Sequence, residues 1–143
     1  MTQVDRSALV LHSAQQMFDL VNDVRNYPSF LPWCSGSEVL EQSNDQMLAR
    51  VDVAKAGLRY SFVTRNLLQQ PNRIQMDLVD GPFSSLSGSW SFAELSEDAC
   101  KVSLNLDFSF HGKLTGMAMA KVFNQIAVAM VDAFCLQADK RYG

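Results

Sequence analysis

The stretch that most constrains this chain is Leu114 to Lys140, LTGMAMAKVFNQIAVAMVDAFCLQADK, which has no proline and a single glycine, Gly116, in its first turn. Lys121, Gln125, Val128, Asp132, Cys135 and Asp139 recur at spacings of four and three, so they share one side of a helix. Met119, Phe123, Ile126, Ala127, Met130, Phe134 and Ala138 fall on the other side, as expected of a helix docked on a core. At 1.5 Å per residue such a helix is roughly 40 Å long, enough to cross a small domain. A bilayer span asks for about 20 apolar residues in a row, and the uncharged run between Lys121 and Asp132 is about half of that. The pattern predicts a packed helix.

A chain of 143 residues has the length of one domain and can fold on a hydrophobic core without a metal or disulfide. Its net charge of -3 argues against a general nucleic-acid binder, and specific DNA binding is not expected. Cys34, Cys100 and Cys135 lie far apart in no CxxC spacing, which fits a reduced compartment. The opening MTQVDRSALVLH lacks the basic region and long apolar run of a secretory signal, so a cytoplasmic location is expected.

Upstream of the long helix the chain alternates. Val4 to Leu11 reads as a strand, and Ser13 with Gln16 has the capping-box pattern that starts a short helix, Ala14 to Val21. Pro28 suits the first turn of a second short helix within Asn26 to Cys34. Tyr27, Phe30, Leu31 and Trp33 load that segment with apolar surface that has to be buried. Six further strands follow, over Ser37–Gln42, Gln46–Ala54, Leu58–Leu67, around Ile74–Leu78, around Leu86–Phe92 and over Val102–Phe110. The last is the cleanest: Val102, Leu104, Leu106, Phe108 and Phe110 alternate with polar residues. The order predicts an α+β fold, with about seven antiparallel strands curved around the C-terminal helix and two short helices after strand 1.

Chemistry is sparse. His12 and His111 have no cysteine or carboxylate at metal-ligand spacing, no GxSxG elbow exists, and Gly57, Gly81 and Gly88 form no phosphate loop. Arg50, Asp52 and Arg59 would matter for a polar ligand only if they faced inward, whereas strand arginines are more often on the wet face. The apolar stripes are richer: Tyr60, Phe62, Trp90, Phe92 and Phe108 on strands, against Met119, Phe123, Ile126 and Met130 on the helix. They make either a filled core or the wall of a pocket. Small residues on the helix, Ala118, Ala120, Ala127, Ala129 and Ala133, leave room for the second.

Three ordered motifs, Tyr27-Pro-Ser-Phe-Leu-Pro-Trp-Cys34, Asp80-Gly-Pro-Phe-Ser-Ser-Leu-Ser-Gly-Ser-Trp90-Ser-Phe92 and Val122-Phe-Asn-Gln-Ile with Met130-Val-Asp-Ala-Phe134, resemble the coenzyme Q-binding START-domain family of the polyketide cyclase/START superfamily. The resemblance spans nearly the whole chain. It implies a single START-like, helix-grip domain over 1–143, in which a curved sheet holds the long helix and leaves a hydrophobic tunnel. It implies non-enzymatic binding of ubiquinone or a related polyisoprenoid quinone in support of respiratory electron transport, with passing contact with a membrane surface to exchange the ligand. For the bacterial branch, the ribosome-association toxins, it implies binding to the large ribosomal subunit, which blocks subunit joining and so translation initiation. Aromatase or cyclase chemistry is the weakest expectation, since no inward acid-base pair can be named. The expected ligand-binding residues are Tyr27, Phe30, Leu31, Trp33, Tyr60, Phe62, Phe83, Trp90, Phe92, Phe123, Ile126 and Met130. Trp33 is expected at the tunnel mouth and Trp90 on its wall, with Tyr27, Trp33 or Tyr60 donating to the quinone head. Lys113, Lys121, Lys140 and Arg141 are the candidate phosphate contacts of the ribosome reading; the alternative for them is a solvated helix face with cations near its C-terminus, which is the commoner case.

Overall fold

In the computed structural model, which describes residues 2–143, β1 (Thr2–Val10) leads into α1 (Ala14–Asn22) and a 3-10 helix (Val24–Ser29). The strands β2 (Cys34–Gln42), β3 (Gln46–Lys55), β4 (Leu58–Gln69), β5 (Arg73–Asp80), β6 (Phe83–Ser96) and β7 (Ala99–Phe110) follow, and α2 (Leu114–Tyr142) closes the chain. All seven strands join one antiparallel sheet in the order β1-β7-β6-β5-β4-β3-β2, curved about α2. This is the expected helix-grip architecture, with both short helices in place.

Local chemistry accounts for the elements. Ser13 caps α1 reciprocally: the Gln16 amide donates to Ser13 Oγ at 3.0 Å, and the Ser13 amide donates to Gln16 Oε1 at 3.0 Å. Ala56 and Gly57 both take positive φ, 54° and 80°, the pair of left-handed residues that a two-residue hairpin between β3 and β4 requires. The sheet bends at bulges. Between Phe83 and Ser85 the register with β7 slips by a residue, so Phe83 and Leu86 both face inward despite their odd spacing. Gly88 lets β7 come close, since a Cβ there would lie 2.1 Å from the Asn105 carbonyl oxygen.

The helix α2 is 29 residues, about 43 Å at 1.5 Å per residue. By length and composition alone it could cross a bilayer. Instead Phe123, Ile126, Ala127, Val131, Phe134 and Ala138 are buried, and the helix packs on β1, β7 and α1. The buried arc is turned slightly from the one expected. Val131 is inside, Met119 and Met130 are only half-buried, and Val128 and Cys135, expected in water, are half-buried too. Contact with β1 and α1 on its flank, as well as with the sheet beneath, widens the covered face. Lys121, Gln125, Asp132 and Asp139 are exposed as expected. At the C-terminal end, buried His12 meets Asp139 at 2.8 Å, and Tyr142 donates to the Gln16 carbonyl at 3.2 Å, tying α2 to the start of α1.

This phase has a measurable consequence. Phe134→Ala, at a fully buried site, is expected to cost about 3–5 kcal/mol in urea unfolding, while Asp132→Ala stays within about 0.5 kcal/mol. Met130→Ala falls below the roughly 2–5 kcal/mol of a fully packed methionine, because Met130 borders open space. A greater loss at Asp132 than at Phe134 would show the helix to be rotated.

Candidate functional site

Between α2 and the middle of the sheet lies a cleft of about 650 Å³ with its mouth included, of which about 60 Å³ admits the centre of a water molecule. As it stands, the bore is narrow. A ring-sized ligand has to push side chains aside, and half-buried Met76 and Met130 on opposite walls are suited to yield. The sheet wall is built from inward positions of consecutive strands: Ala49 and Val51 on β3, Phe62, Thr64 and Asn66 on β4, Met76 on β5, Leu86 and Trp90 on β6, Leu104 and Leu106 on β7. Phe123, Ile126 and Met130 form the helix wall, and Val24, Tyr27 and Trp33 close the side nearest the 3-10 helix.

The expected site residues divide. Tyr27, Trp33, Phe62, Trp90, Phe123, Ile126 and Met130 line the cleft. Trp33 is half-buried there and Trp90 fully buried. Phe30, Leu31, Tyr60, Phe83 and Phe92 do not line it, and their apolar surface goes into packing instead. Phe30 stands edge-on to Tyr27 and Phe134, with centroids 6.3 and 5.4 Å apart. Leu31 is buried beneath the same segment, its amide donating to the Tyr27 carbonyl at 3.0 Å. Phe83 sits at the centre of an aromatic plug with Tyr60, Phe62, Phe108, Phe110 and Phe123. Phe92 lies beyond Trp90, against Phe18 of α1. The stripe is therefore a filled core at its ends and a cleft in its middle.

Thr64 and Asn66 were not among the expected residues, yet both lie on the wall and are 7% exposed. Extending the alternation of Tyr60 and Phe62 along β4 places them inward, which is the signal that could have found them. Thr64 Oγ1 donates to Asn66 Oδ1 at 2.8 Å.

Polar groups elsewhere are structural. The buried Tyr27 hydroxyl donates to the Val21 carbonyl. Burial, with smaller contributions from Cys34 and Asp23, raises the phenol above the ordinary tyrosine range. The Tyr60 hydroxyl is buried with no hydrogen-bond partner among the described residues, and burial raises its pKa as well. Val51 pairs with Phe62 on the inner face, so Arg50 and Asp52 on alternate positions of β3 face outward. There Arg50 bridges Glu38 at 2.9 Å and Asp52 at 3.1 Å. The Ser61 hydroxyl, donating at 2.6 Å, and the Arg50 guanidinium hold the Asp52 carboxyl below its usual range, against the upward pull of burial. This group is an outer-face brace and has no access to the cleft.

The chain matches the family model for polyketide cyclase / dehydrase and lipid transport over residues 10–135. It belongs to that family. Ribosome association toxin RatA of Vibrio cholerae serotype O1 is 54% identical over 143 residues, covering 100% of this chain and 99% of its own. The mitochondrial coenzyme Q-binding protein COQ10 homolog B of Xenopus laevis is 29% identical over 145 residues, covering 99% of this chain and 59% of its own. Among solved structures, the Zhui aromatase/cyclase of Streptomyces sp. R1128 superposes with a TM-score of 0.87 over 99% of this chain and 96% of that one. At 20% identity that likeness is one of fold alone.

The two tyrosines give opposite expectations. Tyr27→Phe removes a buried hydrogen bond and should lower stability by about 0.5–1.5 kcal/mol, whereas Tyr60→Phe removes an unpaired hydroxyl and should leave stability unchanged or raised. Because the folded Tyr27 phenol holds its proton above the unfolded value of about 10, its contribution is complete below that pH and is lost as pH rises above it. Unfolding titrations at alkaline pH should show a shallower fall for Tyr27→Phe than for the native chain.

Proposed function

We propose that this protein is a ribosome-associating toxin of the RatA kind, acting in the cytoplasm by binding the large ribosomal subunit and blocking subunit joining. The observation that carries this reading is 54% identity along the entire chain to a protein of that name. The placement of charge supports it. The β3–β4, β5–β6 and β7–α2 turns share one end of the molecule; Lys55, Arg59 and Lys113 stand in or beside these turns with Asp80, and Lys121 follows two turns into α2. On a chain of net charge -3, that end is the part suited to phosphates. Lys140 and Arg141 lie at the opposite end of α2, and Arg141 faces Asp23 at 3.4 Å.

Co-sedimentation with purified large subunits tests the reading. Binding should weaken steeply between roughly 50 and 200 mM salt. The pair Lys113→Glu and Lys121→Glu should weaken it at least about tenfold and flatten the salt dependence, while Lys140→Glu leaves it nearly unchanged. Equal loss from Lys140→Glu, or binding indifferent to salt, would remove phosphate contact at this end as the mechanism.

A second reading is carried by the cleft: non-enzymatic binding of a hydrophobic molecule, a polyisoprenoid quinone by analogy with the name of the Xenopus relative. Among the described residues Tyr27 is the one ionisable residue on the lining, and its hydroxyl is engaged, which favours holding a ligand over transforming it. Leu114 and Met117, 84% and 70% exposed at the basic end, suit brief contact with a membrane surface from which such a ligand is drawn. Titration with a short-chain ubiquinone should quench Trp33 and Trp90 saturably. Ile126→Trp, adding volume to the helix wall, should abolish that saturation while circular dichroism shows the fold retained. Unchanged affinity in the folded variant would place the quinone elsewhere.

A further inference from the structure

We propose that Asn66, oriented by Thr64, is the seat for a carbonyl-type acceptor on the molecule that occupies the cleft; the inference rests on the hydrophobic-ligand reading and adds the polar feature of the ligand. On β4 the inward positions run Phe62, Thr64, Asn66 and Leu68. Their neighbours across the ladders are apolar: Ala49 and Met47 on β3, Leu78 and Met76 on β5. Two polar side chains thus stand in the middle of a greasy wall, each 93% buried, where valine or leucine would fill the same space without a desolvation penalty.

Their internal pairing leaves a specific remainder. Thr64 gives its hydroxyl proton to Asn66 Oδ1 at 2.8 Å, which fixes the plane of the carboxamide and uses its acceptor. The Asn66 Nδ2 amide, among the described residues, donates to no protein atom. Asn66 lines the cleft, so that donor is left for an oxygen of whatever occupies it. The chemistry of the wall narrows the oxygen. No lysine, arginine or histidine lines the cleft, so a buried carboxylate or phosphate would have no counter-charge. A pure hydrocarbon would strip the amide of water and return nothing. An apolar body bearing a neutral carbonyl, such as a ketone, quinone or ester, meets both conditions.

The test compares α-tetralone and tetralin, the same two-ring skeleton with and without one carbonyl, by displacement of 1-aminoanthracene from the full chain. The quantity read is the ratio of their two affinities, which cancels changes in general hydrophobicity. Asn66→Leu, of similar volume but without the donor, should lower the tetralone-to-tetralin ratio about tenfold, the equivalent of one buried hydrogen bond. Thr64→Val, nearly isosteric, should lower it less, because the amide remains but is no longer held in plane; this variant carries the test if Asn66→Leu fails to fold. The carbonyl stretch of bound tetralone should lie at lower frequency in the native protein than in either variant. A ratio and a stretch that do not change in a folded variant overturn the seat and leave the apolar pocket standing. If neither probe displaces the reporter from the native chain, the pocket reading falls and the seat falls with it.

Discussion

Two phenylalanines of α2 hold the structure to its shape. Phe123 of α2 stands edge-on to Phe83 and Phe108, with centroids 5.0 and 4.8 Å away, and Phe134 meets Tyr27, Phe30 and Trp90 at 5.4, 5.4 and 5.2 Å. They are about 16 Å apart along the helix. Each pins α2 to a different partner, one to the aromatic plug beside the β5–β6 turn, the other to the 3-10 helix and the centre of β6. Between the pins the helix wall consists of Phe123 itself, Ile126 and Met130, with Ala127 buried alongside. A rigid rod fixed at two points over a concave sheet cannot sink into the gap between them. The cleft is the space that smaller side chains leave unfilled, and its position follows from where the two phenylalanines fall in the sequence.

Much of this was legible in the chain and some was not, for physical reasons. β7 declared itself through uninterrupted alternation from Val102 to Phe110, and α1 through a capping box that the structure reproduces. The phase of α2 was readable only approximately. Alanine, valine and methionine surround most of its circumference, so periodicity marks the exposed side through Lys121, Gln125, Asp132 and Asp139 better than the buried one. The alternation marks the β6 strand only around Leu86–Phe92 and misses Phe83, because the bulge that brings Phe83 inward breaks the period of two and leaves no compositional mark here. Within the site, sequence reasoning gathered aromatics and so found Tyr27, Trp33, Phe62 and Trp90, but it also swept up Phe30, Phe83 and Phe92, which pack into three separate parts of the core. Aromatic residues fill cores and line pockets alike, and only three-dimensional placement separates the two uses.

The cleft and the basic end make separate demands on the chain. The cleft needs inward-facing apolar side chains from β3 to β7 and the middle of α2. The basic end needs three turns and the start of α2, whose exposed residues contribute little to the core. Substitution at one therefore has small direct effect on the other, and a family built on this frame can change surface recognition while retaining a pocket. Proteins that share this fold carry names as different as ribosome association toxin, coenzyme Q-binding protein and aromatase/cyclase, so the fold by itself does not select among them.

What the separation does not explain is the persistence of polar groups inside the cleft. If surface recognition were the whole of the function, Thr64 and Asn66 would be a burden. Their desolvation is offset only by a single mutual hydrogen bond, and apolar residues of like size would close the wall and raise stability. The unpaired Tyr60 hydroxyl shows that this fold tolerates one such cost at the edge of an aromatic plug. A matched pair whose free donor borders open space is a different case. It stands on the wall of the cleft rather than within the packed plug. Surface recognition alone leaves that arrangement without a purpose; under the proposed ligand reading, an occupant bearing an acceptor would give it one.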